Sequence, residues 1–189
     1  ASVPGQLPWR DWSGEVFADF PHVDVARLRA YADLSPWGVD VRSGHGRIEA
    51  WAQVSQGQID AATLVLALQG VDATLGQGLP ALALDDVSGR VDASRDASGF
   101  RLGTQDLAFR TREGLNWPGG QAELRHRLAQ TGQRSLTELS ADRIELAPLA
   151  AIAERLPLPA GLRTALTELQ PAGRVDGLTA RWEAPATDA

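Results

Sequence analysis

The sequence predicts a mostly β protein, built of antiparallel strands with a few short helices at the periphery. Alternation of apolar and polar residues recurs along most of the chain. In "GRIEAWAQV", Ile48, Ala50, Ala52 and Val54 fall on one side and Arg47, Glu49 and Gln53 on the other. The interruptions are short and rich in Gly or in Asp and Ser: "SQGQ", "GQGLP", "SRDASGF", "REGLNWPGG". Connections this short suit hairpins and meanders, because parallel crossovers need a dozen or more residues.

The first strand is expected over 12–20, where Val16, Ala18 and Phe20 alternate with Glu15 and Asp19. A short helix follows in "DVARLRAYADL". Asp24 is placed to cap it, Val25, Leu28 and Ala32 share a face, and "SPWG" ends it. From 40 to 128 the pattern predicts only strands and turns: roughly 46–54, 58–68, 71–75, 79–84, 87–93, 99–102, 105–111 and 120–128. "SLTELSADRIEL" makes a further strand. Two short helices are expected in "APLAAIAERL", with Pro148 in the first turn, and in "GLRTALTEL", stopped at Pro171. "GRVDGLTARW" is the last strand. Across 58–68 the alternation is lost: Leu64, Leu66 and Leu68 point one way and Val65 and Ala67 the other, so both faces are apolar.

A short element recurs: "GRIEA" at Gly46, "GRVDA" at Gly89 and "GRVDG" at Gly173. The separations, 89−46 = 43 and 173−89 = 84, are close to one and two units of a common period. The copy due near 131 is degenerate. Such a period suits a stacked β array, and the chain 1–189 reads as a single β-rich section with candidate repeat starts near 46, 89 and 173.

Hydrophobic content of 43% fits a folded chain of 189 residues. All 18 basic residues are arginine; they are scattered, and the net charge is −6, which argues against nucleic acid as a partner. Cysteine is absent, so disulfides, thiolate metal sites and cysteine nucleophiles are excluded. Methionine is absent even at position 1, which reads as a piece of a longer polypeptide. No run of about 18 apolar residues is present.

The search for chemistry comes back empty, and neither enzyme activity, a metal nor a cofactor is expected. His22, His45 and His126 have no ligand spacing; His45 reads as an exposed turn and His126 as sharing a strand face with Ala122 and Leu124. Asp85 and Asp86 are adjacent and should point to opposite faces, a poor acid–base pair. No nucleophile elbow, phosphate loop or dinucleotide fingerprint occurs. The tryptophans read as core corners rather than a sugar-stacking platform. Trp51 is the exception, sharing the face of Arg47, Glu49 and Gln53.

Two passages resemble a known family. "VDVARLRAYADLSPWGVDVRSGHGRIEAWAQV" and the closing "APLAAIAERLPLPAGLRTALTELQPAGRVDGLTARW" are similar to the conserved-domain region of YhdP-type proteins, large AsmA-like proteins of the Gram-negative envelope. The closing piece is the more specific: two leucine-rich helices, then Leu169, Pro171, Gly173, Val175, Leu178 and Trp182 at fixed spacing. The resemblance implies a strongly curved, taco-like β-sheet with an apolar lining. It also implies a periplasmic location, tethered to the inner membrane by a segment outside this chain.

On that resemblance the chain is a non-enzymatic section of a lipid-transfer protein. Its partners are phospholipid acyl chains and the remainder of the same polypeptide, with membrane contact only through parts outside it. Leu64, Leu66, Leu68, Leu107, Phe109, Leu124, Ile144 and Leu146 are then the candidate groove residues. The alternatives are a structural or protein-interaction module of the envelope with a closed β core and, more remotely, a carbohydrate-binding domain using the tryptophans.

Overall fold

The computed structural model describes residues 12–28, 40–129 and 134–184. Strand β1 is Gly14–Asp24, followed by the single helical turn α1, Val25–Leu28. Next come β2 (Asp40–Ser55), β3 (Gln58–Thr74), β4 (Leu82–Asp96), β5 (Gly99–Thr111), the two-residue β6 (Asn116–Trp117), β7 (Ala122–Arg127) and β8 (Ser135–Glu145). Helix α2 (Leu146–Ile152) with a 3₁₀ turn (Ala153–Arg155), helix α3 (Ala160–Leu169) and β9 (Arg174–Ala184) complete the order. The expected first helix is formed over its first turn, where Asp24 Oδ1 accepts from the Ala26 amide at 3.1 Å. Its remainder, Trp9, Trp37 and most of the stretch around the expected fourth repeat lie outside the described residues.

The strands form one antiparallel sheet in the order β1-β2-β3-β4-β5-β7-β8-β9, with β6 also paired to β5. The β2–β3 hairpin follows from its turn: Gln56 and Gly57 both have positive φ (52° and 72°), the two-residue connection whose twist matches the flanking strands. The sheet is not closed and is consistent with a curved one. Edge strand β1 carries Pro21, which has no amide to leave unpaired, within its bulge between Phe20 and Val23.

Three strands are longer than the alternation indicates. The expected pairs 58–68/71–75, 79–84/87–93 and 99–102/105–111 are single strands, β3, β4 and β5. What interrupts the alternation is a change of phase within a continuous strand. Leu68 and Val71 are both buried although three residues apart, because Gly70 (φ 59°) takes the extra step in the left-handed region. Opposite it on β4, Leu84 is buried and Val87 packs on the same core, leaving Asp85 and Asp86 between them. Both carboxylates reach Arg110, at 3.8 and 2.6 Å, so they share one side rather than pointing apart as adjacent strand residues would. His45 is likewise not in a turn: it lies within β2, paired with Gln69.

The core sits at one end of the sheet. Val23, Leu68, Val71, Ala73, Leu82 and Leu84 are buried with Ile152 of α2, and Ile48, Leu66, Val87 and Phe109 pack against them. Ile152 lies on the segment leaving β8, whereas Val23 lies on β1, six positions away in the sheet. That is roughly 29 Å if the sheet were flat, and the shared cluster agrees with curvature. Among the described residues no tryptophan is a buried core corner: Trp12 and Trp182 are exposed, and Trp117 is half-buried, stacked on Phe109 at 5.8 Å. A tryptophan's area needs a deep core on all sides, and a single open sheet offers one only where helices cover it.

Candidate functional site

Residues directly opposite one another in an antiparallel pair lie on the same face, so the register assigns both faces of the sheet. One face is apolar in every main strand. Val16, Ala18 and Phe20 of β1 stand opposite Ala52, Ala50 and Ile48 of β2. Ile48 and Ala50 stand opposite Leu66 and Leu64 of β3, which stand opposite Gly89 and Val91 of β4. Leu102 of β5 then pairs with Leu124 of β7, Leu124 with Leu139 of β8, and Leu139 with Ala180 of β9.

The other face is knitted by ion pairs and is mostly polar, though Phe17 and Trp51 also stand on it, exposed, with their rings 5.0 Å apart. Arg47 reaches Asp19 (3.2 Å) and Glu49 (2.7 Å), Arg90 reaches Asp92 (3.0 Å), and Thr63 donates to Asp92 at 2.7 Å. Arg101 and Arg125 both bind Glu123. The hydrogen bond from the Arg90 guanidinium lowers the pKa of Asp92, and that from Arg101 lowers the pKa of Glu123. A depression of about 640 Å³ opens on this side, lined by Arg90, Arg101, Glu123 and Ser140 among others. In the three Gly-Arg elements, the arginine reaches the acidic residue two positions on: Arg47–Glu49, Arg90–Asp92 and Arg174–Asp176. Gly46 and Gly89 sit mid-strand with φ near 150° against the neighbouring backbone, whereas Gly173 lies in the turn before β9.

Six of the eight candidate groove residues fall on the apolar face across β3, β5 and β7, and Ile144 joins it from β8. Leu64, Leu66 and Leu68 occupy it along β3, Leu107 and Phe109 along β5, and Leu124 on β7. Val65 and Ala67, opposite Arg90 and Ser88, belong to the polar face. Within the six, burial rises toward the helices: Leu64 is 37% exposed, Leu66 packs against the core, and Leu68 is 8% exposed. Of the other two, Ile144 shares the face and Leu146 does not. Ile144, opposite Val175, lies three residues past Ala141, and Gly177 (φ 69°) opposite the intervening Asp142 makes the same phase change as Gly70, so Ile144 shares the face of Ala141. Leu146 opens α2, its amide donating to the Gly173 carbonyl at 2.9 Å.

Away from the helices the apolar face has no cover among the described residues. Val16 (43%), Phe20 (38%), Leu102 (39%) and Trp182 (42%) are exposed. Val16, Phe20, Leu102 and Trp182 were missed as face residues by the sequence reading, although the first two carry the same alternation. Only the register joins β1 and β9 to the leucines of β3. Among the described residues no cluster of His, Asp or Glu could hold a metal, and no helix is long and apolar enough to cross a membrane.

The described residues form an open antiparallel β-sheet module with one largely apolar face and one ion-paired face. The chain belongs to the YhdP protein family, whose model matches residues 1–188. Membership suggests an AsmA-like bacterial envelope protein. No curated protein and no solved structure matches the chain.

Proposed function

We propose that this chain is a non-enzymatic section of an envelope-spanning lipid-transfer protein, and that its apolar face shields phospholipid acyl chains between the inner and outer membranes. The observation that carries this reading is the uncovered part of that face, with exposed Val16, Phe20, Leu64, Phe100, Leu102 and Trp182 on four different strands. Soluble monomers rarely expose contiguous apolar patches beyond a few hundred Å² without a function, and each CH₂ taken from water contributes about 0.8 kcal/mol. The module lies in the periplasm, held to the inner membrane by a segment outside this chain, and the rest of the same polypeptide continues the surface.

A photo-crosslinking residue at Leu64, in cells, captures phospholipid on this reading, while one at Val65 on the opposite face does not. Silence at Leu64 overturns it. The second reading, a structural or protein-interaction module with a closed core, is favoured by the cluster around Leu68 and Ile152, which the helices seal. It predicts that a crosslinker at Leu64 captures protein rather than lipid.

A further inference from the structure

The apolar face is not apolar throughout, and its polar side chains are gathered. Arg95 of β4 stands opposite Phe100 of β5, Phe100 opposite His126 of β7, His126 opposite Thr137 of β8, and Thr137 opposite Trp182 of β9. This one cross-strand row, at the end away from the helices, collects an imidazole and a hydroxyl between the exposed rings of Phe100 and Trp182, with a guanidinium on the far side of Phe100. Gly99 lies so close to β7 that a Cβ there would meet the His126 carbonyl oxygen at 1.9 Å, which seats the Phe100 ring 5.2 Å from the His126 ring.

The groups in the row have capacity left over. Arg95 donates to the Ile59 carbonyl (3.2 Å) and reaches Gln58 Oε1 (3.5 Å), and it pairs with no carboxylate among the described residues. In the neighbouring carboxylate, Asp96, Oδ1 accepts from the amide and hydroxyl of Ser98 (2.7 and 2.6 Å). His126 Nδ1 lies 2.9 Å from the Thr137 hydroxyl, and the other ring nitrogen has no hydrogen-bond partner among the described residues. Most arginines of the polar face, by contrast, are bound to carboxylates.

The geometry points to this row as the seat of a lipid phosphodiester, with the acyl chains running from it along the apolar face toward α2. The inference rests on the acyl-chain reading above and adds to it the place and chemistry of the headgroup. A cation, a second hydrogen-bonding ring and flanking aromatics suit the boundary between a charged head and apolar tails. The distance also fits. From Arg95 to Val87, where the helix-covered core begins, eight residues of strand span about 26 Å, longer than the roughly 15 Å of hydrocarbon in one bilayer leaflet.

The test incubates the 189-residue chain with dioleoyl-phosphatidylglycerol or with dioleoylglycerol, which has the same chains and no phosphate, and reads retained lipid by native mass spectrometry. The expected result is a preference for the phospholipid of about ten-fold, the scale of a hydrogen bond to a charged group. The double variant Arg95→Gln/His126→Gln, checked by circular dichroism for an unchanged fold, should bring the two lipids to near parity while dioleoylglycerol retention stays constant. Equal retention by the unmodified chain, or an undiminished preference in the variant, overturns the headgroup seat and leaves the acyl reading standing. Binding of inorganic phosphate alone at the same concentration overturns it in favour of a free-anion site. Retention of neither lipid overturns both readings.

Discussion

At the scale of the residue, the glycines and the ion pairs give the sharpest expectations. Gly46 approaches β3 so closely that a Cβ would meet the Ala67 carbonyl oxygen at 2.1 Å, and its φ of 149° is in the region L residues avoid. Gly46→Ala should therefore cost about 1–3 kcal/mol, read from the shift in urea midpoint. Gly161, in the first turn of α3 with nothing within 4 Å, is the control; Gly161→Ala there should be neutral or stabilising by up to about 1 kcal/mol. The ion pairs predict a pH dependence. Asp92 and Glu123 have pKa values held below the ordinary carboxylate range, chiefly by hydrogen bonds from Arg90 and Arg101. Their folded values lie below the unfolded ones, so their contribution is complete above about pH 4.5 and is lost as the pH falls through the depressed values. Acid titration of stability should show that loss, and Glu123→Gln should flatten it. A slope unchanged in the variant would refute the assignment. Asp85 and Asp86 show the limit of residue-level reading: alternation sends neighbours to opposite faces, and only the phase change opposite Gly70 lets both meet Arg110.

At the scale of the element, the two ends of β3 differ in what covers them. Ile152 on α2 is 3% exposed among strand residues from β1, β3 and β4. Ile152→Ala should cost about 2–4 kcal/mol, since the helix cannot collapse onto a twisted sheet to fill the space. Leu64→Ala, on the same face but 37% exposed, should cost well under half as much. Denaturation of both variants checks the contrast, and equal costs would mean that Leu64 is covered in the folded chain. The strands themselves were legible. Alternation located every principal strand, and the Gly and Asp/Ser clusters located most of the turns. Bulges at Gly70 and Asp106, both with positive φ, were read as breaks because a one-residue phase change looks the same in sequence as a turn.

At the scale of the whole molecule, the apolar face should behave as a binding surface with a measurable effect on stability. A ligand that binds the folded state alone raises its apparent stability by mass action, about 2.7 kcal/mol at a hundred times its Kd. Phospholipid supplied from mixed micelles should therefore raise the melting temperature of the chain, and Leu64→Glu with Leu102→Glu should abolish the rise without loss of secondary structure. The same melting temperature with and without lipid would count against an acyl-binding face. Edges β1 and β9 meet no further strand among the described residues, and unpaired edges are ready sites for continued pairing.

What the sequence determined by itself is the class: alternation of period two dictates strands, short polar connections make them antiparallel, and the absence of cysteine removes thiolate chemistry. It also drew the resemblance to the family that the chain belongs to. What it left open was which face of Leu64 to Leu68 joins a continuous apolar surface and which part of that surface is closed. Alternation defines two faces for each strand but not which strands share one. That is fixed by register, by phase changes at Gly70 and Asp106, and by α2 folding back from β8 onto β3 and β4. These are contacts between residues far apart in the chain, and only the tertiary structure joins them into a surface sealed at one end and open, beneath the Arg95–His126 row, at the other.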